Sequence, residues 1–286
     1  MLTVIGLGNA GCAIADELIV YPQYTIRKID TADNKKDANF CRVEACASPE
    51  QYEGELPGHV QDFLKNLESE TLFITSCGMI SGMALRILEE ANKTSKITVM
   101  YIVPEKLNLT EVQKLQNNLV FNVLQEYSRS ALFERIILVD NKQIADIIGP
   151  VPVLKYWNSI NNMIASTYHM INVFEHSRPV FTTFSKKVET ARMTTIGLSA
   201  YDTNEEKIEK TFFSLDIPRE KRYYYAVPQK MLEEDEMLMD KIQKHVKKGV
   251  EHDKMKVGYA IYSTAYDHPY VYCESYSTLV QKNPAL

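Results

Sequence analysis

VLKYWNSINNMIASTYHMINVF, residues 153–174, is the stretch around which the rest of the chain is arranged. Pro150 and Pro152 suit a helix entrance, and Pro179 bars continuation past the EHSR that follows. About 22 residues, or about 33 Å of helix, fit between them. Trp157, Ile160, Ile164, Tyr168 and Ile171 form one apolar stripe, with Met163, Met170 and Phe174 on another face, so the pattern predicts a helix buried between two bodies. Lys155, His169 and the asparagines 158, 161, 162 and 172 exclude a membrane span, which needs about 20 predominantly apolar residues. Trp157 and Asn161 lie one turn apart on one face, a flat ring beside an amide that both donates and accepts, which suits a planar base. From helix position alone, Trp157 is more simply a core aromatic and Asn161 a satisfied interior amide.

On the N-terminal side, strands alternate with helices. LTVIG, residues 2–6, is a short apolar strand, and residues 8–21 carry apolar residues at helical spacing. Between them GLGNAG, residues 6–11, places glycines 6, 8 and 11 in a GxGxxG pattern that lets amides approach a phosphate at the positive start of a helix. TIRKID then ends at Asp30, at roughly the distance of a ribose contact in a dinucleotide fold. An NAD-type oxidoreductase is therefore one reading, and a ligand-free turn with a strand-end carboxylate is another. Residues 33–51 read as loop or weak strand, and 57–67 as a helix. TLFITS, 71–76, is a strand running into CGMISGMALRILEEA, a second small-residue turn in which Gly78, Ser81 and Gly82 face a phosphate. ITVMYIV and RIILV add strands, separated by a helix over 110–130 whose apolar positions are Val112, Leu115, Leu119, Val123 and Leu124. The order predicts α/β with a mainly parallel sheet and a ligand at the carboxyl ends of its strands.

Past Arg178 the character changes to a smaller α+β domain. The expected elements are a polar helix over the TTFSKKVET region carrying Lys186 and Lys187, a strand to about residue 201, and a helix over 205–213. A tyrosine-rich strand follows at 222–227, a charged helix at 233–248, and strands at 257–264 and 271–276 joined as a hairpin by AYDHP. The expected division is 1–152, 153–177 and 178–286.

Composition bounds the function. A net charge of −5 and a pI near 5.8 disfavour a general nucleic-acid or anionic-membrane surface. Five cysteines, with no paired close spacing and no zinc-ligand spacing, point to reduced thiols in a cytoplasm and to no metal site of the protein's own. No activating His or Lys neighbours Cys12 or Cys77, so thiol catalysis is not expected. The N-terminal strand lacks the basic region and cleavage site of a signal peptide.

The order of parts resembles the tubulin and FtsZ superfamily, including the divergent plasmid and phage tubulins. The most specific local match is ILVDNKQIADII, residues 137–148, which looks like the tubulin segment VDNEAIYDIC and precedes the long helix at the right remove. The resemblance implies a guanine pocket of Asn141, Trp157 and Asn161, and phosphate or base contacts from Gly8, Asn9, Ala10, Gly11 and Cys12. It implies GTP or GDP as ligand, with Mg2+, and head-to-tail assembly into filaments in the cytoplasm of a bacterial or other host, where a DNA-partitioning or viral cargo adaptor is a candidate partner. Neither membrane nor direct nucleic-acid binding is expected. Two departures stand out. The family's second phosphate signature, GGGTGSG, becomes Ser76 to Gly82 with Met79 and Ile80 at its middle, and Ile80 does not easily take positive φ. The turn after the long helix, where the family carries the acidic residues that position water for hydrolysis in trans, is VFTTFSKKVET, leaving Glu175 and Glu189 as the nearest carboxylates. Slow or absent hydrolysis follows, as does a third reading, a tubulin-like structural protein that works without nucleotide.

Overall fold

Residues 1–32, 37–201 and 209–285 are described in the computed structural model, and they divide into two compact units. The first comprises Met1–Ser166 and the residues from Val280 onward, and the second Thr167–Leu279.

The first unit is α/β. Its strands and helices are β1 (Leu2–Leu7), α1 (Gly8–Leu18), β2 (Tyr24–Asp30), β3 (Phe40–Arg42), α2 (Gly58–Phe63), β4 (Glu70–Thr75), α3 (Ala84–Ala91), β5 (Lys96–Val103), α4 (Glu111–Arg129), β6 (Arg135–Asp140) and α5 (Asn141–Ile148). The strands lie in the order β3-β2-β1-β4-β5-β6, every neighbouring pair parallel. Thr3 to Leu7 of β1 and the last five residues of β4 and β6 are buried without alternation, the pattern of strands covered on both faces. Gly6 pairs with Ile74, Thr75 with Tyr101 and Val103 with Asp140, so the carboxyl ends of β1, β4, β5 and β6 align along one edge.

The second small-residue turn feeds a helix as expected, as a 3-10 turn over Met79–Met83 in which Ile80 has no positive φ. Two expectations are corrected in this unit. The helix expected over 57–67 is confined to Gly58–Phe63, because Asn66 sits at φ 58, which α-helix excludes. The second correction concerns α4. It begins with a capping box of Thr110 and Gln113, but Val112, Leu115 and Leu119 of its apolar stripe are exposed. Its buried face is Asn117, Phe121, Leu124, Gln125 and Ser128. The C-terminal segment covers that face with amide bonds. Asn117 Nδ2 donates to Asn283 Oδ1 (3.2 Å), Gln125 Nε2 to the Gln281 carbonyl (3.2 Å), and Gln281 N to Gln125 Oε1 (2.7 Å).

The long helix, α6 (Tyr156–Glu175), follows a 3-10 turn at Val153–Lys155, and the division between the units falls within it at Ser166/Thr167. Ile160, Ile164, Tyr168 and Ile171 of the expected stripe are buried, as is Phe174 of the other face, whereas Trp157 at the head of the stripe is 48% exposed. No helix among the described residues is long and apolar enough to cross a membrane.

The second unit holds β7 (Phe181–Thr182), β8 (Met193–Ser199), β9 (Glu209–Thr211), β10 (Glu220–Pro228), α7 (Gln229–Glu234), α8 (Leu238–Lys248), β11 (Lys256–Thr264) and β12 (Tyr270–Ser277). Its strand order is β8-β12-β10-β11-β7, with β9 on β8. The Tyr-rich β10 is central and buried along all nine residues. It runs parallel to β11 and antiparallel to β12, so β11 and β12 are not the expected hairpin. They flank β10 about 10 Å apart, a gap that the five residues 265–269 span easily at about 3.4 Å each. The expected polar helix after Pro179 is extended chain instead. Thr183 N donates to the Tyr259 carbonyl (2.9 Å), Arg222 Nη2 donates to the Ser185 carbonyl (2.8 Å), and the Phe184 ring lies under that guanidinium at 4.8 Å. Those bonds hold the backbone against β11 and leave it none of its own helical turn. Of the helix expected over 205–213, residues 209–211 form β9 on β8, whereas 205–208 lie outside the described residues.

Candidate functional site

At the end of β1 the chain enters α1 through Gly8, whose φ of +72° lies in the left-handed region that favours glycine. Gly6 and Gly11 serve a different need. A Cβ on Gly6 would lie 2.4 Å from the Gly11 carbonyl oxygen, and one on Gly11 2.3 Å from that of Ile74, so both let strand and helix meet. Leu7 at the N-cap offers no side-chain acceptor and the first turn has no carboxylate. The amides that start α1 therefore keep their donor capacity and their positive dipole end for an outside anion.

Opposite stands the turn after β4. Ile80 is buried, and its Cγ2 would be 2.9 Å from a Cβ on Gly8, so the isoleucine side chain reaches up to the first turn. A cavity of about 430 Å³ opens beside them, lined by Gly8, Asn9, Ala10, Ser76, Gly78, Met79 and Ile80, with Asp30 and Thr31 from the end of β2. Ala45, Cys46 and Tyr52 complete it. Residues 45–52 were missed from sequence because neither period runs through them. Pro49 opening a single 3-10 turn over Pro49–Tyr52 is the signal that was there to read. Asp30 accepts a hydrogen bond from Thr31 N (2.7 Å) and is the one charged residue of the lining among the described residues.

Not every expected residue lines this cavity. Ser81 is buried and accepts a bond from Gln116 Nε2 (3.2 Å). Gly82 abuts the Pro49 carbonyl, which a Cβ would approach to 2.0 Å. Cys12 lies behind the turn and donates to the Gly6 carbonyl (3.4 Å), and burial pushes its thiol up to about 12. Burial also raises the Cys77 thiol, so neither cysteine is a thiolate near neutral pH.

Along the same carboxyl edge, α5 begins at Asn141. Asp140 caps it, its Oδ1 accepting from Lys142 N (2.9 Å), and burial raises the Asp140 carboxyl. The Asn141 side chain is buried and its Oδ1 has no hydrogen-bond partner. An orphaned buried acceptor costs about 1–3 kcal/mol, and a ligand with an N–H donor removes that cost. In the first turn of α6 the Trp157 ring is 48% exposed and meets Tyr156 edge-on at 5.1 Å, so it is no core aromatic. Tyr156 is held by a hydrogen bond to Glu105, which with burial raises its hydroxyl to about 12. Asn161 is half-buried, and its neighbour Asn162 ties α6 to α1 through Glu17 Oε2 (3.2 Å). No three-carboxylate or His/Cys cluster fit for a metal ion occurs among the described residues.

The two carboxylates nearest the turn after α6 are both engaged. Glu175 is paired with Lys187 at 2.6 Å, and Glu189 with Lys186, which holds the Glu189 carboxyl below its usual range.

No protein-family model and no curated protein matches the chain by sequence. Solved structures do match. TubZ of Bacillus thuringiensis serovar israelensis, in a GTPγS-form protofilament, superposes with a TM-score of 0.73 at 14% identity over 99% of this chain and 88% of that one. FtsZ of M. jannaschii gives 0.68 at 10% identity over 96% and 88%, and CetZ2 of Haloferax volcanii 0.70 at 11% identity over 99% and 94%. The chain has a tubulin/FtsZ-like fold.

Proposed function

We propose that this chain, on its tubulin/FtsZ-like scaffold, binds a guanine nucleotide at the carboxyl edge of its parallel sheet and assembles head to tail into filaments with slow or absent GTP hydrolysis. The observation that carries the reading is the buried, unpartnered Asn141 Oδ1, an acceptor for which a guanine N–H is a fitting donor. Trp157 offers its half-exposed face for stacking and Asn161 an amide one turn on. Gly8, Asn9 and Ala10 lead the uncapped amides of α1 toward the phosphates, with Gly78 across the cavity.

The charge balance bears on the metal. Among the described residues the lining carries only the charge of Asp30, so a triphosphate there draws on the α1 dipole and on a cation such as Mg2+ carried in with it. Hydrolysis needs a free carboxylate to orient water, and Glu175 and Glu189 are each held by a lysine. GTP therefore acts as an assembly ligand more than as a substrate. A head-to-tail contact that does not close on itself extends into a filament, in the cytoplasm of the cell in which the chain works. The recorded protofilament of TubZ and the four-stranded filament of TubZ-Bt have the same fold and support this reading.

Pelleting and light scattering with GTP, ATP, NAD or no nucleotide test it. A scattering rise with GTP alone supports the proposal. Binding of NAD alone supports an oxidoreductase, and assembly that ignores all three supports the nucleotide-independent alternative.

A further inference from the structure

Helix α4 carries three of its apolar side chains on the outside, although Phe121 and Leu124 are buried. Val112, Leu115 and Leu119 are 73%, 71% and 54% exposed, while the opposite face is filled by Asn117, Gln125 and Ser128 beneath the C-terminal segment. Beyond the two ends, Leu107 is 97% exposed and Leu132 45%, and Tyr127 in the last turn is 38% exposed. Such an apolar surface along the roughly 28 Å of a 19-residue helix marks an interaction site.

We propose that this face pairs with the same face of a second copy, the two α4 helices lying antiparallel about a two-fold axis that passes between Leu119 and Val120. Val112 and Tyr127 are equidistant from that point along the helix, and Leu119 meets its own counterpart beside the axis. Charge selects the direction. Glu111 and Arg129 are separated by five whole turns and so lie on one flank of the helix. A two-fold axis across the helix keeps each on its flank and brings Glu111 of one copy level with Arg129 of the other, whereas parallel pairing puts the two Glu111 side chains on opposite flanks and makes no such pair. Within each chain Glu111 already holds Lys114 (2.6 Å) and Arg129 holds Glu126 (2.6 Å), so each end of the contact gains a chain of alternating charge.

Such a contact is isologous and closes at two. It needs no nucleotide, so it stands apart from the filament reading.

Sedimentation equilibrium of the full chain without nucleotide tests the proposal. Wild type is expected to be dimeric at micromolar concentration, and Leu115→Glu at least about a hundredfold weaker with an unchanged melting curve, since the position is exposed. Arg129→Glu should weaken the dimer about tenfold, and Glu111→Arg added to it should recover most of that loss. Leu119→Cys should cross-link to its counterpart through a short bis-maleimide above the wild-type background, and Val112→Cys alone should not. A monomer at every concentration overturns the proposal, as does a dimer indifferent to Leu115→Glu. Dissociation by Leu115→Glu without cross-linking at Leu119 points to a different partner face and overturns the antiparallel register.

Discussion

Replacing Asn141 with leucine separates a binding group from a structural one, because the two roles give opposite signs. Leucine is close to asparagine in size, and at a position 8% exposed it removes an acceptor that has no partner. The unsatisfied Oδ1 burdens the folded protein by about 1–3 kcal/mol, and up to about 1.5 kcal/mol is returned if the Nδ2 group loses a bond of its own. Without nucleotide, the Asn141→Leu protein should be as stable as wild type or up to about 2 kcal/mol more so, a shift of no more than about 8 °C at the 2–4 °C per kcal/mol of a chain this size. With GTP the order reverses. Losing the acceptor costs about 1–3 kcal/mol of binding, or about 5- to 150-fold in Kd at 1.4 kcal/mol per decade. Thermal melts with and without GTP, together with calorimetric titration, read both quantities from one preparation. A variant that is destabilised by more than about 2 kcal/mol in the absence of nucleotide, or that binds GTP as wild type does, would refute the assignment.

Other outcomes follow from the same geometry. Gly8→Ala should lower the melting temperature and abolish nucleotide binding, because φ is +72° and the new methyl would lie 2.9 Å from Ile80 Cγ2; retention of GTP affinity in a folded variant rules out Gly8 as the phosphate turn. Lys187→Ala releases Glu175 and should raise phosphate release during assembly, while Lys186→Ala serves as a comparison, and equal turnover in both and in wild type argues that Glu175 is not placed to act on water. His245 is buried between Ser199 Oγ (2.9 Å) and the Tyr225 hydroxyl, and burial lowers its pKa to about 4. Its ordinary value near 6.5 applies in the unfolded chain, which therefore binds more protons. The associated stability is full above pH 6.5 and is lost as pH falls toward 4, by about 3 kcal/mol in all. His245→Gln should flatten the wild-type slope of unfolding free energy between pH 6.5 and 4, and an unchanged slope would mean that other groups carry it.

The parallel half of the molecule was legible because its strands are buried on both faces and helices such as α1, α4 and α5 start at glycine or after a capping residue. Burial without alternation in TVIGL and RIILV is a one-dimensional signal, and so is the GLGNAG turn. The α6 stripe was legible for the same reason. The second unit was harder. Whether AYDHP makes a hairpin depends on where β10 inserts, and nothing in the five residues themselves records that β10 lies between β11 and β12. TTFSKK has a helix-compatible composition but is extended because Arg222 and Tyr259, far along the sequence, take its carbonyls and amides. The α4 stripe misled for a third reason. Periodicity reports that one face is apolar, not that this chain covers it, and the buried face is satisfied by amides from residues more than 150 positions away. In the candidate site, Gly8 and Trp157 were readable from motif and spacing, whereas the orphaned state of Asn141 and the contribution of Tyr52 require the packed structure.

Trp157 is the chain's one tryptophan, so its intrinsic fluorescence reports directly on the face assigned to the base. Titration of the unassembled protein with GTP, with ATP and NAD as comparisons, tests guanine binding most simply. The account predicts saturable quenching by GTP at far lower concentration than by ATP or NAD, moved about 5- to 150-fold higher in Asn141→Leu. Fluorescence indifferent to GTP, or a response to NAD alone, would contradict it.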